Sequence, residues 1–153
     1  NTNMIDNKHI PHKYKFTSKE NRLSLLAGLI DTDGSLSNVC YEITQKSTII
    51  ADDILFLARS CGLSAYNKKC IKGWTHKDIY KTGEYNRMHI SGDIHEIPVL
   101  IKRKIAKARE QIKSVLNVGF TIETAKEDSC ACIYTSNNNR IVLGDFTITG
   151  GTK

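Results

Sequence analysis

Leu25-Leu26-Ala27-Gly28-Leu29-Ile30-Asp31-Thr32-Asp33-Gly34 is the stretch from which the rest of this chain can be read. Its first six residues are apolar or small, the composition of a helix buried nearly all round. Its last four place two carboxylates and a glycine where such a helix stops. The dipole at a helix C-terminus already disfavours negative charge, so Asp there is costly, and a divalent cation would offset the cost.

Upstream, residues 1–17 are polar and aperiodic, with His9, Pro11 and His12, and read as an extended lead-in. Thr17 or Ser18 is the candidate N-cap, with Glu20 and Asn21 in the first turn. Downstream, residues 35–46 alternate as a short hairpin, with Val39, Tyr41 and Ile43 on one face and Cys40, Glu42 and Thr44 on the other. Ser47 can cap a second helix, in which Ile50, Ile54, Leu57, Ala58 and Cys61 recur at helical spacing and Gly62 supplies the stop. Residues 63–71 and 79–91 read as two more strands, joined by a polar loop around Gly73 and Trp74. Residues 93–117 read as helical, interrupted at Pro98, with Ile105, Ile112, Val115 and Leu116 on one face of the last part. The order α-β-β-α-β-β-α predicts an α+β fold whose helices cover one face of a sheet.

From Gly119 the character changes. Residues 120–125, 131–135 and 140–149 read as short strands around a turn at Asn137-Asn138-Asn139. So few strands cannot bury a core alone. The expected division is therefore residues 1–118 and an all-β segment over 119–153.

The chain has 153 residues, 40% hydrophobic and 25% charged, which is ordinary globular composition. Its formal net charge of +6 suits an anionic partner, and equally a solvated basic surface. The longest apolar run, residues 23–30, is far too short to span a bilayer, and no signal peptide is visible, so no membrane partner is expected. Cys40, Cys61, Cys70, Cys130 and Cys132 are odd in number and unevenly spaced, which points to reduced thiols in an intracellular protein of cytoplasm or nucleus. Cys130 and Cys132 lack the second pair a zinc site needs, and packing explains them better. An opening Asn1 in place of Met suggests a piece of something longer.

Basic residues fall in two groups. Lys68, Lys69, Lys72, Lys77, Lys81 and Arg87 lie in the second strand pair, with Tyr66, Trp74, His76, Tyr80 and Tyr85 among them. A basic, twisted antiparallel ribbon fits the major groove of DNA; a solvated outer sheet face has the same composition. Lys102, Arg103, Lys104, Lys107, Arg109 and Lys113 form the second group, suited to phosphate contacts or to plain solvation.

At eight of nine positions, Leu26-Ala27-Gly28-Leu29-Ile30-Asp31-Thr32-Asp33-Gly34 matches the name motif of the LAGLIDADG homing endonucleases, with Thr32 the departure. Tyr41-Glu42-Ile43-Thr44-Gln45-Lys46 resembles the strand that carries a catalytic-centre glutamine, and Val99-Leu100-Ile101-Lys102-Arg103-Lys104 the segment with the family's catalytic-pocket lysine. Together with the αββαββα order, the resemblance covers about residues 8–117. It implies site-specific cleavage of double-stranded DNA by metal-dependent phosphodiester hydrolysis, with Mg2+ as cofactor and Mn2+ able to substitute. It further implies that Asp33 binds the metal with Gly34 beside it, that Gln45 orders the attacking water, and that Lys104, or Lys102, polarises the scissile phosphate or that water. Lys46, Tyr66, Lys68, Lys69, Lys72, Trp74, His76, Lys77, Lys81, Tyr85, Arg87 and His89 would contact DNA. Family helices pair through small residues, so Leu26, Ala27, Gly28, Ile30 and Asp31 would form the contact with a second repeat.

Lys8-His9-Ile10-Pro11 and the strands from Gly119 to Thr149 resemble intein-borne members, in which a splicing (Hint) domain surrounds the endonuclease. The chain then corresponds to the C-terminal half of an intein, partnered by its N-terminal half. Gly150 and Gly151 stand where an intein has His and Asn, Thr152 stands at the downstream nucleophile, and Asn139 stands at the assisting His. Asn cyclisation needs a side-chain amide that Gly151 lacks, so splicing is expected to be disabled, by engineering or by decay. Two other readings share these motifs: a cleavage-inactive, maturase-like binding module, and a free-standing homodimeric endonuclease.

Overall fold

The structure, a computed structural model, describes residues 8–115, 117, 119–129, 133–135 and 140–150. The chain forms two compact units, Asn1–Leu116 and Asn117–Lys153. Unit one runs α1 (His12–Lys15), α2 (Lys19–Asp33), β1 (Gly34–Ser37), β2 (Cys40–Gln45), α3 (Thr48–Ser60), β3 (Ser64–His76) and β4 (Ile79–Ser91), then two 3-10 turns, Ile94–Glu96 and Lys102–Lys104. Unit two contains the hairpin β5 (Arg140–Val142) and β6 (Ile148–Gly150). No helix among the described residues is long and apolar enough to cross a membrane.

Ser18 starts α2, its hydroxyl accepting the Asn21 amide at 3.3 Å. Beside that start, Lys19 lies 2.8 Å from Glu96 and, through that hydrogen bond, holds the Glu96 carboxyl below its ordinary value. Any stability from this exposed pair is present above the ordinary carboxyl value and fades as pH falls through the lowered one. Leu23, Leu26, Ala27 and Ile30 are the buried stripe of α2, at the i, i+3, i+4 and i+7 spacing of one helix face. Ser24, Gly28 and Thr32 are exposed, and Leu25 and Leu29 are half-buried. The expected all-round burial is therefore replaced by one-sided burial. Leu26, Ala27 and Ile30, expected at a helix-pairing surface, belong instead to the chain's own core.

The sheet is antiparallel with order β1-β2-β4-β3. Alternation sends Tyr41, Ile43, Ala65, Met88 and Ile90 to one face, where they pack with Leu26, Ile30, Ile54, Leu57 and Ala58 of α2 and α3. Each large aliphatic side chain buried there contributes about 1.5–3 kcal/mol. Helix α3 ends at Cys61, and Gly62 follows in the left-handed region at φ 85°, as read from its glycine. Asp53, buried on α3, accepts the Ile10 amide and the Lys15 ammonium, both at 2.6 Å, and so ties down the lead-in, which contains the short helix α1.

Besides α1, which forms in a lead-in expected to be extended, the β3–β4 ribbon and the segment after it differ from the sequence-based expectation. Strands β3 and β4 run on through Gly73 and Trp74 and turn at Lys77-Asp78, both in the left-handed region, as a two-residue type I′ hairpin turn requires. A Cβ at Gly73 would meet the tip of the exposed Tyr80 side chain, which is free to swing toward solvent. The helix expected over 93–117 is absent from the described part of that range. Pro98 cannot donate to a helix, and the amides of Leu100 and Ile101 are bound by the Asp31 carboxylate. Beyond it, Ile105 and Ile112 are exposed, and a short helix with no packed face is marginal.

In unit two, residues 120–125 form no strand, and 140–149 form a hairpin whose pairing runs from Arg140↔Gly150 to Val142↔Ile148. Of the strand expected at 131–135, residues 133–135 form no strand, and residues 131 and 132, the turn at 137–139, and Gly151 and Thr152 lie outside the described residues.

Candidate active site

Helix α2 delivers the two carboxylates of its last turn to different tasks. Asp31 accepts the backbone amides of Leu100 at 2.9 Å and Ile101 at 3.1 Å. It therefore holds the loop after Pro98 and does not cap its own helix, which continues to Asp33. Two residues further on, about 200° round the helix, Asp33 is exposed and accepts the Gln45 side-chain amide at 2.7 Å. Thr32 between them bonds back to the carbonyls of Gly28 and Leu29, each at 3.1 Å. Gly34 turns directly into β1 with extended backbone, φ −93° and ψ 168°. A Cβ there would lie 2.9 Å from the Ile30 Cα, so only glycine lets strand follow helix this closely.

Register then assembles the surroundings. Gly34 pairs with Ile43, and Gln45 at the end of β2 pairs with Asn86. Asp33, Ser35, Glu42, Thr44, Gln45, Lys46, Lys72, Tyr85 and Arg87 line an open pocket of about 460 Å3. The sheet face away from the helices continues outward from it. Tyr66↔His89, Lys68↔Arg87, Cys70↔Tyr85, Trp74↔Lys81 and His76↔Ile79 are facing pairs, so Tyr66, Lys68, Lys72, Trp74, His76, Lys81, Tyr85, Arg87 and His89 share this face. Tyr66 stacks on His89 with ring centroids 5.0 Å apart, and Trp74 meets Tyr85 edge-on at 6.4 Å. Lys69 falls on the opposite face, paired with Glu84 at 3.3 Å, and Lys77 sits in the turn.

Lys104 does not line the pocket. It is 6% exposed, and its ammonium donates to the carbonyls of Ile30 and Asp31, both at 2.8 Å. Its own carbonyl accepts the Tyr41 hydroxyl at 2.5 Å. A buried cation thus satisfies the last turn of the helix that carries Asp33, where the dipole places partial negative charge. Burial pushes the Tyr41 hydroxyl above its ordinary value, which keeps it a donor. Lys102 is exposed.

Sequence reasoning missed Ser35, Thr44 and Glu42 as pocket residues. Alternation in the first hairpin could have found Glu42 and Thr44, since both were placed on the face away from Tyr41 and Ile43. Glu42 is the one acidic residue among the basic ones lining the pocket besides Asp33, and its carboxylate lies 3.5 Å from the His89 ring. Burial, with Glu42 adding to it, pushes the Cys40 thiol above its ordinary value, while Arg109 opposes them.

A carboxylate at a helix end, a glutamine bonded to it, and an adjacent basic sheet face are the features to set against known families. The family model for homing endonucleases matches residues 9–118. The chain belongs to the homing endonuclease family. As a homing endonuclease it is a DNA-binding hydrolase that cleaves phosphodiester bonds, built as a mixed α and β domain on an antiparallel sheet. The match takes in everything from the lead-in to the loop after β4, and leaves the β5–β6 hairpin outside it.

Proposed function

We propose that this homing endonuclease is of the LAGLIDADG type and contributes one of two repeats to a magnesium-dependent active centre that cuts a specific double-stranded DNA site. The observation that carries the reading is the Asp33–Gln45 hydrogen bond in a polar pocket that Lys46, Lys72 and Arg87 also line. The donors fit magnesium, which takes oxygen ligands and usually one or two carboxylates, with substrate phosphates completing its shell. Asp33 would hold the ion, with Gly34 beside it, while Asp31 is engaged by backbone amides. When bound, magnesium would neutralise charge on the scissile phosphate and acidify a water.

The chain's own residues do the rest. Gln45 fixes the Asp33 carboxylate through its amide nitrogen and leaves its amide oxygen to orient a water. Lys46, Lys72 and Arg87 hold DNA phosphates at the pocket, and Lys68, Lys81, Tyr66, Trp74 and His76 extend the contact along the ribbon. Lys104 positions the helix end, and exposed Lys102 is the cation able to reach a phosphate.

Gly28 supports the pairing of two repeats. Glycine inside a helix costs about 0.8–1 kcal/mol relative to alanine. Among the described residues a Cβ at Gly28 would meet nothing within 4 Å, so no contact with them requires the glycine. With Ser24 and Thr32 it forms an exposed strip of small side chains, the surface a second helix can approach closely. Gly28→Ala should therefore raise the thermal midpoint of the separate chain and weaken assembly of the two-repeat enzyme, read by sedimentation. Unimpaired assembly would remove this support.

The β5–β6 unit we read as closing strands of an intein splicing domain, disabled by Gly150 and Gly151 at the His and Asn positions. To test the endonuclease reading, the chain is supplied with the N-terminal half and a plasmid bearing the uninterrupted host sequence. We expect site-specific cutting in magnesium and binding without cutting in calcium. Binding without cutting in both would identify a maturase-like binding module and overturn the proposal.

A further inference from the structure

We propose that Cys40, Glu42 and His89 form a second metal site on the same sheet face, one that takes a thiophilic divalent ion, zinc foremost. The ligand atoms of the three side chains all lie within 4.8 Å of one another. Backbone geometry brings them there. Cys40 and Glu42 are two residues apart on β2 and point the same way, and His89 is the register partner of Glu42 on β4. The His89 Nδ1 and the Glu42 Oε1 are 3.5 Å apart, long for a direct hydrogen bond. Two ligands sharing a tetrahedral zinc at about 2.0–2.3 Å each lie about 3.3–3.6 Å apart, so this pair already has the separation. The Cys40 sulfur, whose thiol donates only a weak 3.6 Å contact to the Ser37 carbonyl, closes the triangle by a side-chain adjustment of about an ångström.

The surroundings favour a held ligand set. The His89 ring is stacked on Tyr66, which fixes the plane in which its nitrogen points. All three residues are part-buried, which limits competing water without closing the site. Three protein ligands leave a fourth position for water or for a group brought by DNA, the arrangement of open zinc sites. The donor set also separates this site from that of Asp33. A thiol and an imidazole select zinc, cobalt or copper, whereas the oxygens of Asp33 and Gln45 suit magnesium. Coordination releases the Cys40 thiol proton to solvent, so zinc in place of that proton adds one positive charge to the face.

The full chain, reduced and freed of metal, is titrated with cobalt(II) and then with zinc. The expected result is a near-ultraviolet sulfur-to-cobalt band with visible bands of tetrahedral intensity, reaching saturation at one ion per chain and erased by equimolar zinc, with millimolar magnesium without effect. Cys40→Ser should abolish the sulfur band, and His89→Ala should weaken cobalt binding by about tenfold or more, both with unchanged far-ultraviolet circular dichroism. A joint Cys61→Ser, Cys70→Ser, Cys130→Ser and Cys132→Ser variant should keep the band. Asp33→Asn should keep it too, so loss of cleavage and loss of zinc are separately readable. No sulfur band in the parent chain, or a band that survives Cys40→Ser, overturns the proposal.

Discussion

Asp33→Asn is expected to extinguish the magnesium-dependent cleavage we propose while DNA binding in calcium persists. The substitution conserves shape, and an Asn side-chain oxygen can still accept the Gln45 amide that Asp33 accepts at 2.7 Å. What it removes is the carboxylate charge at the last residue of α2, which we propose holds the metal. Metal stabilisation of the transition-state charge is worth several kcal/mol, so a loss of about a thousandfold or more in rate is expected. The stability effect has the opposite sign. Asp33 is the last residue of α2, where the helix dipole disfavours negative charge, and neutralising it should add about 0.3–1 kcal/mol. A variant that melts higher and cuts nothing is the signature; one that cuts at the parent rate would remove Asp33 from the active centre.

Lys104→Ala is expected to lower the unfolding free energy by about 3–6 kcal/mol, because hydrogen bonds from a charged group are worth about 1.5–3 kcal/mol each and two are lost in a buried setting. The Ile30 and Asp31 carbonyls lose their donor, and the last turn of α2 loses the cation facing its dipole. Against a typical total of about 5–15 kcal/mol, the loss is large. Urea denaturation should show a lower midpoint with an unchanged slope. Lys104→Met keeps the apolar stem and isolates the ammonium; it should recover little stability. If Lys104→Met instead unfolds at the parent midpoint and abolishes cleavage, the lysine acts in the chemistry and not as a support for the helix end.

These two residues mark the reach of sequence reading. The 25–34 stretch gives the helix and its end at Gly34, because local pattern and chemistry coincide there. The first hairpin and α3 with its Gly62 stop are equally local. The partners of Asp31 and Lys104 are not: each reaches about seventy residues along the chain, and no local signal encodes such a contact. Leu26 and Gly28 illustrate another gap, since apolar and small residues look alike whether they meet the chain's own core or face outward. The Lys77-Asp78 turn escaped because neither residue is the glycine or asparagine that usually marks a left-handed backbone. The 105–116 pattern misled for the reverse reason: it is periodic, yet Ile105 and Ile112 in it are exposed.

The outer part of the β3–β4 ribbon has one more consequence. Apart from a partly covered Gly83, residues 71–84 are exposed, whereas the apolar core draws on Ala65, Met88 and Ile90 at the inner end. Substitutions along the outer part therefore touch few contacts on which the domain's stability depends. On the surface we propose for reading DNA, mutational drift is decoupled from folding. Such an enzyme can follow a diverging target sequence, one ribbon side chain at a time, without disturbing the helix end that would do the cutting.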